Sequence, residues 1–580
     1  CLISGMKQFL LCSFAVVVLQ ASFAQLPETR FEKTKGKETS TYTEIIAAWK
    51  QLDRISPKVL LKQMGPSDAG YPLHLALISS DASFSPAQWQ QQKKVVILVN
   101  NGIHPGEPDG IDASILLAKD IISGKILLPP QVVVAIIPVY NIGGCLNRSP
   151  YFRIDQNGPA EKGSRGNSQY LDLNRDFIKS DAKESRSFAS IFQWVQPDIF
   201  IDNHVSNGAD YQHVMTLLTT QHNKLGGVMG TYLHETFEPA IYKLMKKKGY
   251  DLIPYVNNFS EKPENGWSAY WDSPRYSSGY ASLFNCFAFV PETHMLKPYV
   301  QRVDATYKLM QSFLEFAAAN AATIKKKREA QIRAEKTQSK FPLTFTLDKS
   351  VSSTFTFHGY EGIRKPSGVS GLPRLYYDRS KPFVKEVPFY NFFIPKNIVE
   401  KPSAYILPQG WWKVAELLQT NRVRMIPLKK DTVIEVEVYR IEEYKSSPRP
   451  WEGHHINTEV KTSKTVQQLA FRKGDWLIDM NQPANKFLMN VLEPTGEDSY
   501  FTWNFFDPIL GQKEGYSGYV FEDIAEEYLK KNPAVKEKLE HRRATDSSFA
   551  KSAGAQLNFV YQLSPYHEPG LLRYPVYRIR

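Results

Sequence analysis

At 580 residues the chain is too long for a single hydrophobic core, so at least two domains are expected, and 42% hydrophobic with 22% charged residues is an ordinary globular balance. The net charge of +12 suits an acidic partner, but apart from Lys246-Lys247-Lys248 and Lys325-Lys326-Lys327-Arg328 the basic residues are scattered. No basic-aromatic groove motif or zinc-finger spacing accompanies them, so no nucleic-acid partner is expected, and no stretch approaches the roughly 18 uninterrupted apolar residues of a transmembrane segment.

Met6-Lys7 opens an apolar run from Phe9 to Leu19 that ends near Ser22-Phe23-Ala24, small residues at the spacing a signal peptidase takes. Residues 1–24 are therefore expected to be an N-terminal extension and signal peptide, and the mature chain to be secreted or periplasmic. Cys12 lies inside the apolar run. Its removal leaves Cys145 and Cys286, paired or as buried thiols, so disulfides are not the framework. Thr41 to Leu52 carries apolar residues at helical spacing, and Tyr71 to Ile78 alternates like a strand on which His74 faces solvent or packs. Val95 to Val99 is an unbroken run of β-branched and Leu residues, the mark of a strand buried on both faces, and it stops at Asn100-Asn101-Gly102. The turn that follows holds His104-Pro105-Gly106-Glu107. An imidazole and a carboxylate three positions apart at the carboxyl end of such a strand can converge on one cation, although that pair alone is common by chance and requires a third ligand. Asp109 to Ile122 reads as an amphipathic helix closed by Ser123-Gly124, and Val132 to Val139 as a second buried strand. Strand, helix, strand with short links is the pattern of an α/β domain.

Next comes a long polar stretch, Tyr140 to Tyr170, with Arg148, Arg153, Asn157 and Arg165, and ordered loops of this length usually serve a site. It leads into Leu171-Asp172-Leu173-Asn174-Arg175-Asp176-Phe177. Pro197 to His204 repeats the opening pattern, a short apolar strand delivering a histidine, and His204 is the candidate third ligand. Cys286 to Glu292 is a further instance, with Glu292 as the delivered carboxylate. Three strands placing such residues at one end point to a site outside the carboxyl ends of an open α/β sheet. His213 and His294 are competing imidazoles, but neither is the first polar residue after a buried run.

Taken together, His104-Pro105-Gly106-Glu107, Arg153 with Asn157-Gly158, Asp172-Leu173-Asn174-Arg175, His204 and Glu292-Thr293 resemble, in order, the zinc carboxypeptidases of the carboxypeptidase A type. The resemblance covers roughly residues 40–320. It implies a mixed, mostly parallel central sheet flanked by helices and one zinc ion, with His104, Glu107 and His204 as its ligands and Asp172 orienting a ligand histidine. It further implies that Asn174 and Arg175 hold the terminal carboxylate of a peptide, Arg153 polarises the scissile carbonyl, and Glu292 is the general base. Arg148 and Arg165 stand open beside Arg153, because the loop is longer than in digestive members. The family's substrate-capping tyrosine falls between Ala269 and Tyr280; Tyr280 is assigned, with Tyr270 and Tyr276 open beside it, and Arg275 as a second anion contact.

From Tyr299 a helical pattern runs through Lys327 and becomes highly charged to about Lys340. A catalytic domain over 25–340 and a mainly β accessory region over 341–580 are expected, the latter from short strand-like runs such as Leu343 to Thr346 and Val433 to Val438. Trp411-Trp412, Trp503 to Phe506 and Tyr516 to Phe521 either pack in a core or stack on a glycan or cell-wall component. Glu452, His454 and His455 are metal-type residues, but adjacent histidines point different ways on most backbones, so an exposed loop is expected there rather than a metal site. The function implied is a secreted zinc carboxypeptidase that hydrolyses the last bond of peptides with a free C-terminus by a metal-activated water. The alternatives are a zinc-dependent N-acyl amino acid deacylase of the desuccinylase or aspartoacylase type, or a catalytically silent peptide- or glycan-binding protein.

Overall fold

A computed structural model describes residues 25–258 and 261–580, so the expected signal peptide lies outside the described residues. Among the described residues, nine strands form one mixed sheet: β1 (Val59–Pro66), β2 (Pro72–Ser79), β3 (Val95–Asn100), β4 (Val132–Ile137), β5 (Ile199–Asp202), β6 (His204–Ser206), β7 (Met215–Thr219), β8 (Ile253–Pro254) and β9 (Phe287–His294). The order is β1-β2-β4-β3-β5-β9-β7-β8, with β6 continuing the line of β5 alongside β9. The central neighbours β4, β3, β5 and β9 run parallel, whereas β1, β2 and β7 pair antiparallel. Parallel strands need cover on both faces, which is why β3 and β4 are apolar at nearly every position and wholly buried. The mixed α/β architecture expected from the residues is present.

Helices α1 (Tyr42–Ile55), α2 (Asp109–Ile122), α3 (Lys183–Val195), α4 (Ser277–Ser282) and α5 (Tyr299–Thr337) flank the sheet. α1 starts at Thr41, whose hydroxyl accepts from the Glu44 amide while the Glu44 carboxylate accepts from the Thr41 amide, a reciprocal cap. α5 packs on α2 and on β3 and β4, and α3 packs on β1 to β3. β2 is buried along almost its whole length rather than alternating, and His74 is buried with it. Cys145 and Cys286 are free and buried.

Beyond α5 the chain is β-rich. Lys340–Leu347 pairs with Phe393–Glu400, Ser353–Pro366 and Pro373–Tyr390 form a long hairpin, and Ala404–Leu407, Thr432–Ser446, Asn457–Phe471, Trp476–Asp479 and Tyr577–Ile579 belong to a second large sheet. The sequence reading missed a helical insert, Gly518–Lys531, Pro533–Thr545 and Ala553–Gln562, that closes around Phe521, Leu539 and Phe549. Trp503, Phe506 and Phe521 are buried, so these rings pack rather than offer a stacking surface. A continuous apolar core runs from the central sheet to Tyr405, Phe487 and Trp503.

One buried ion pair fixes the floor of the sheet's carboxyl end. Arg302 on α5 is fully buried; its Nε donates to Asp109 Oδ2 (3.0 Å), Nη1 to the carbonyls of Asn157 and Lys297 (2.7 Å each), and Nη2 to that of Gly158 (2.9 Å). It thereby ties the first residue of α2 to the loop that follows Arg153. Arg302→Met strands a buried carboxylate, so a loss of about 3–5 kcal/mol of unfolding free energy in urea titrations is expected. A loss below about 1 kcal/mol would mean that water replaces the guanidinium.

Candidate active site

β3 and β5 are adjacent parallel strands ending at the same level, so the turns leaving them meet. His104 and Glu107 leave β3 in the turn before α2, and His204 leaves β5 at the start of β6. Gly106 is required there, because a Cβ would lie 2.7 Å from Arg153 Cδ and 2.8 Å from the Gly163 carbonyl. The donor atoms of His104, Glu107 and His204 lie within 4.8 Å of one another, and all three residues are buried. His104 Nδ1 is 3.2 Å from Glu107 Oε1 and His204 Nδ1 is 3.0 Å from Glu107 Oε2. The opposite ring nitrogens are taken: His104 Nε2 by Asp172 Oδ1 (2.9 Å) and His204 Nε2 by Asp202 Oδ2 (3.1 Å). Each histidine therefore presents Nδ1 to a common point with its orientation set from behind by a carboxylate. Two imidazoles and a carboxylate, with the fourth direction open to a cavity, fit the donor set of a catalytic zinc.

The electrostatics suit a cation. Burial opposes charge on Glu107, but Arg153, His104 and His204 outweigh it and hold the carboxyl well below its ordinary range. Burial likewise opposes charge on His204, yet Asp202 and Glu107 raise its pKa well above the usual value, so a protonated imidazole meets the charge where no dication does. Asp172, against the cost of its burial, is kept ionised by His104, Arg165 and Arg175.

Glu292 enters from the other flank. It sits inside β9, in register with His204 on β6 and Thr216 on β7, rather than after the strand as the sequence suggested, because β9 outruns β5 and continues along β6. Burial pushes its carboxyl up to about 8, reinforced by Glu107 and opposed by His204 and Arg153.

The cavity above these residues has a volume of about 530 Å³ and is lined further by Arg153, Arg165, Asn174 and Arg175. Arg153 adopts a left-handed backbone (φ 48°); its Nη1 donates to Glu107 Oε1 (2.6 Å), Nη2 to the Val205 carbonyl (3.0 Å) and Nε to Gln156 Oε1 (2.5 Å). Arg165 is tied to Asp172 Oδ2 by Nε (3.0 Å), and Arg148 turns away to the carbonyls of Thr39 and Ser40 (3.2 Å each). Arg175 donates Nη1 to the Asn174 carbonyl (2.7 Å), stacks on Tyr276 at 4.6 Å and lies 3.8 Å from Asp172, so it makes fewer hydrogen bonds than Arg153 or Arg165. Asn174 Oδ1 accepts from the Ser277 amide at 3.3 Å.

Two expected residues are elsewhere. Tyr280 is fully buried on α4, packed against Phe177, Phe188, Phe192 and Phe284, with its hydroxyl donating to Asn421 Oδ1 (2.6 Å). Arg275 is paired with Asp498 (2.7 Å) and lies over Trp451 and Trp503. Both are corrections to the sequence reading, made by long-range partners. The cavity wall is built instead by Tyr255, Tyr270 and Tyr276. Sequence reasoning missed Asp202, although a residue two positions before a histidine on a strand shares its face. It also missed Asp272, a buried cavity carboxylate neutralised by Lys224 (2.6 Å) and bonded to the hydroxyls of Thr220 and Ser278 (2.7 and 2.8 Å). Nothing local marks that pair.

No family model matches the chain. Carboxypeptidase 2 of Trichophyton rubrum is 22% identical over 454 residues, which cover 74% of this chain and 78% of that protein. Among solved structures, carboxypeptidase A from Helicoverpa armigera has a TM-score of 0.37 at 17% identity over 49% of this chain and 74% of that one. A metallo-carboxypeptidase from Pseudomonas aeruginosa has a TM-score of 0.35 at 13% identity over 51% of this chain and 70% of that one. Among the described residues, no helix is long and apolar enough to cross a membrane.

Proposed function

We propose that the chain is an exported, zinc-dependent carboxypeptidase that removes residues from peptides with a free C-terminus. The observation that carries this reading is the convergence of His104 Nδ1, Glu107 and His204 Nδ1 beneath a cavity that also holds Glu292 and Arg175. The name of the fungal relative supports it, and the apolar run before Ala24 supports export.

His104, Glu107 and His204 would hold the zinc, which when bound supplies a Lewis acid at the cavity floor and lowers the pKa of water. Arg175, stacked on Tyr276 and held by Nη1 to the Asn174 carbonyl, would present its remaining N–H groups to a terminal carboxylate, with the Asn174 side chain beside it. Arg153 or Arg165, both in the cavity, would donate to the carbonyl oxygen as negative charge develops there. Glu292 accepts a proton from the attacking water and returns it to the leaving amine. Asp172 and Asp202 keep both imidazoles in the tautomer that leaves Nδ1 free of a proton when zinc is held.

Elemental analysis of the purified protein, combined with a mass-spectrometric screen of mixed peptides, tests the reading. One zinc and stepwise loss of C-terminal residues are expected; cleavage of N-acyl amino acids alone would assign a deacylase, and binding without cleavage a silent receptor. Arg175→Ala is expected to slow cleavage of free-ended peptides by about 10²-fold, the scale of a lost buried charge-assisted pair, while barely changing residual cleavage of amidated ones. Equal damage to both would make Arg175 structural.

A further inference from the structure

The region after α5 reaches into the site at two points that the sequence does not announce. At the first, the tight turn Trp451–His454, expected as an exposed loop, lies against the Asp172–Asp181 segment. Glu452 Oε2 accepts the backbone N–H of Asp172 (2.9 Å), and His454 Nε2 meets Asp181 Oδ2 (2.8 Å). Glu452 and Gly453 both have positive φ (50° and 83°), so the turn carries backbone strain at the residue that makes the contact. At the second, Glu497 accepts from Trp271 Nε1 (2.8 Å) and Ser273 Oγ (2.6 Å), while Asp498 accepts from the Arg275 amide (2.9 Å) and from Trp503 Nε1 (3.1 Å).

These contacts are made to the two segments that shape the cavity. Asp172 orients His104 and also caps the turn holding Asn174, whose amide donates to Asp172 Oδ1 (3.0 Å). Asp272, Tyr276, Ser277 and Ser278 lie in the second segment and line the cavity. A backbone N–H and an indole N–H are each satisfied by a carboxylate from more than 220 residues away. The two segments also touch through Asn174 and Ser277.

We infer that Glu452 and Glu497 are positioning residues of the active site: Glu452 holds the Asp172–Arg175 turn against the metal ligands, and Glu497 holds the Trp271–Ser278 segment as the wall against which substrate lies. The region after α5 is thus part of the site's construction rather than a separate binding module. A charge-assisted hydrogen bond to a backbone amide fixes a loop more firmly than a neutral one, and loops without such anchors open at low free-energy cost. The effect on zinc and peptide rests on the proposed hydrolase; the bracing itself does not.

The experiment separates the two. In metal-free protein, hydrogen exchange resolved by mass spectrometry is expected to speed up by about tenfold or more in peptides spanning 172–178 for Glu452→Ala, and in those spanning 271–278 for Glu497→Ala, each leaving the other segment unchanged. In the zinc-loaded enzyme, Glu452→Ala is expected to weaken zinc about tenfold, the lower end for residues that orient ligands, whereas Glu497→Ala raises KM with kcat and zinc affinity retained. Glu452→Gln and Glu497→Gln, which keep an acceptor oxygen, are expected to restore most of each loss. Unchanged local exchange in both alanine variants, or a uniform increase over the whole chain with only a lower Tm, would overturn the inference. Wild-type protein that neither binds zinc nor cleaves peptide, together with the two local exchange effects in the alanine variants, would overturn the proposed function and leave the bracing standing.

Discussion

Glu292→Gln is expected to keep its zinc and its affinity for peptide while turnover falls by about 10²–10⁴-fold, the scale of a lost general acid–base group. The substitution preserves shape and removes only the ability to take a proton. Glu292 lies across from His204 in the β6–β9 register but outside the His104, Glu107 and His204 donor set, so the metal has no need of it. Without a dication its carboxyl is pushed up to about 8 by burial. A dication at the neighbouring ligands favours the ionised form, which brings the group into the range where it both accepts and returns a proton near neutral pH. Elemental analysis and steady-state kinetics on one preparation decide the matter. Loss of zinc in Glu292→Gln reassigns the residue as a ligand, and near-normal turnover with zinc bound places the base elsewhere.

His104→Ala and His204→Ala are expected to lose zinc and activity together, because two remaining ligands are too few for a tight catalytic site. Full zinc content in either variant would sink the assignment of that histidine. His204 adds a pH dependence. In the metal-free protein burial works against its charge, but Asp202 and Glu107 raise its pKa well above the usual value. Zinc must therefore displace a proton from the nitrogen it needs. Proton and metal compete for one atom, so zinc affinity falls as pH is lowered and rises as pH climbs toward the raised pKa. About one proton per zinc is expected to be released near neutral pH, since Glu107 is already ionised. Calorimetry in buffers of different ionisation enthalpy measures it, and no release would mean that His204 is neutral before the metal arrives.

Much of this protein is written locally. The unbroken apolar runs of β3 and β4, the capped starts of helices such as α1, and the stop of α2 at Ser123-Gly124 follow from side-chain period and turn chemistry, which act within a few residues. His104, Glu107 and His204 were legible for the same reason: each is a polar residue just past a buried strand, and parallel neighbours must end at the same edge of the sheet. Only tertiary structure could decide what each polar group meets across the chain. It turned Arg275 onto Asp498 and buried the Tyr280 hydroxyl against Asn421. It also neutralised Asp272 with Lys224 and set Glu452 on the amide of Asp172. A buried donor or acceptor requires a partner but does not specify from which segment, and that choice belongs to the packed chain.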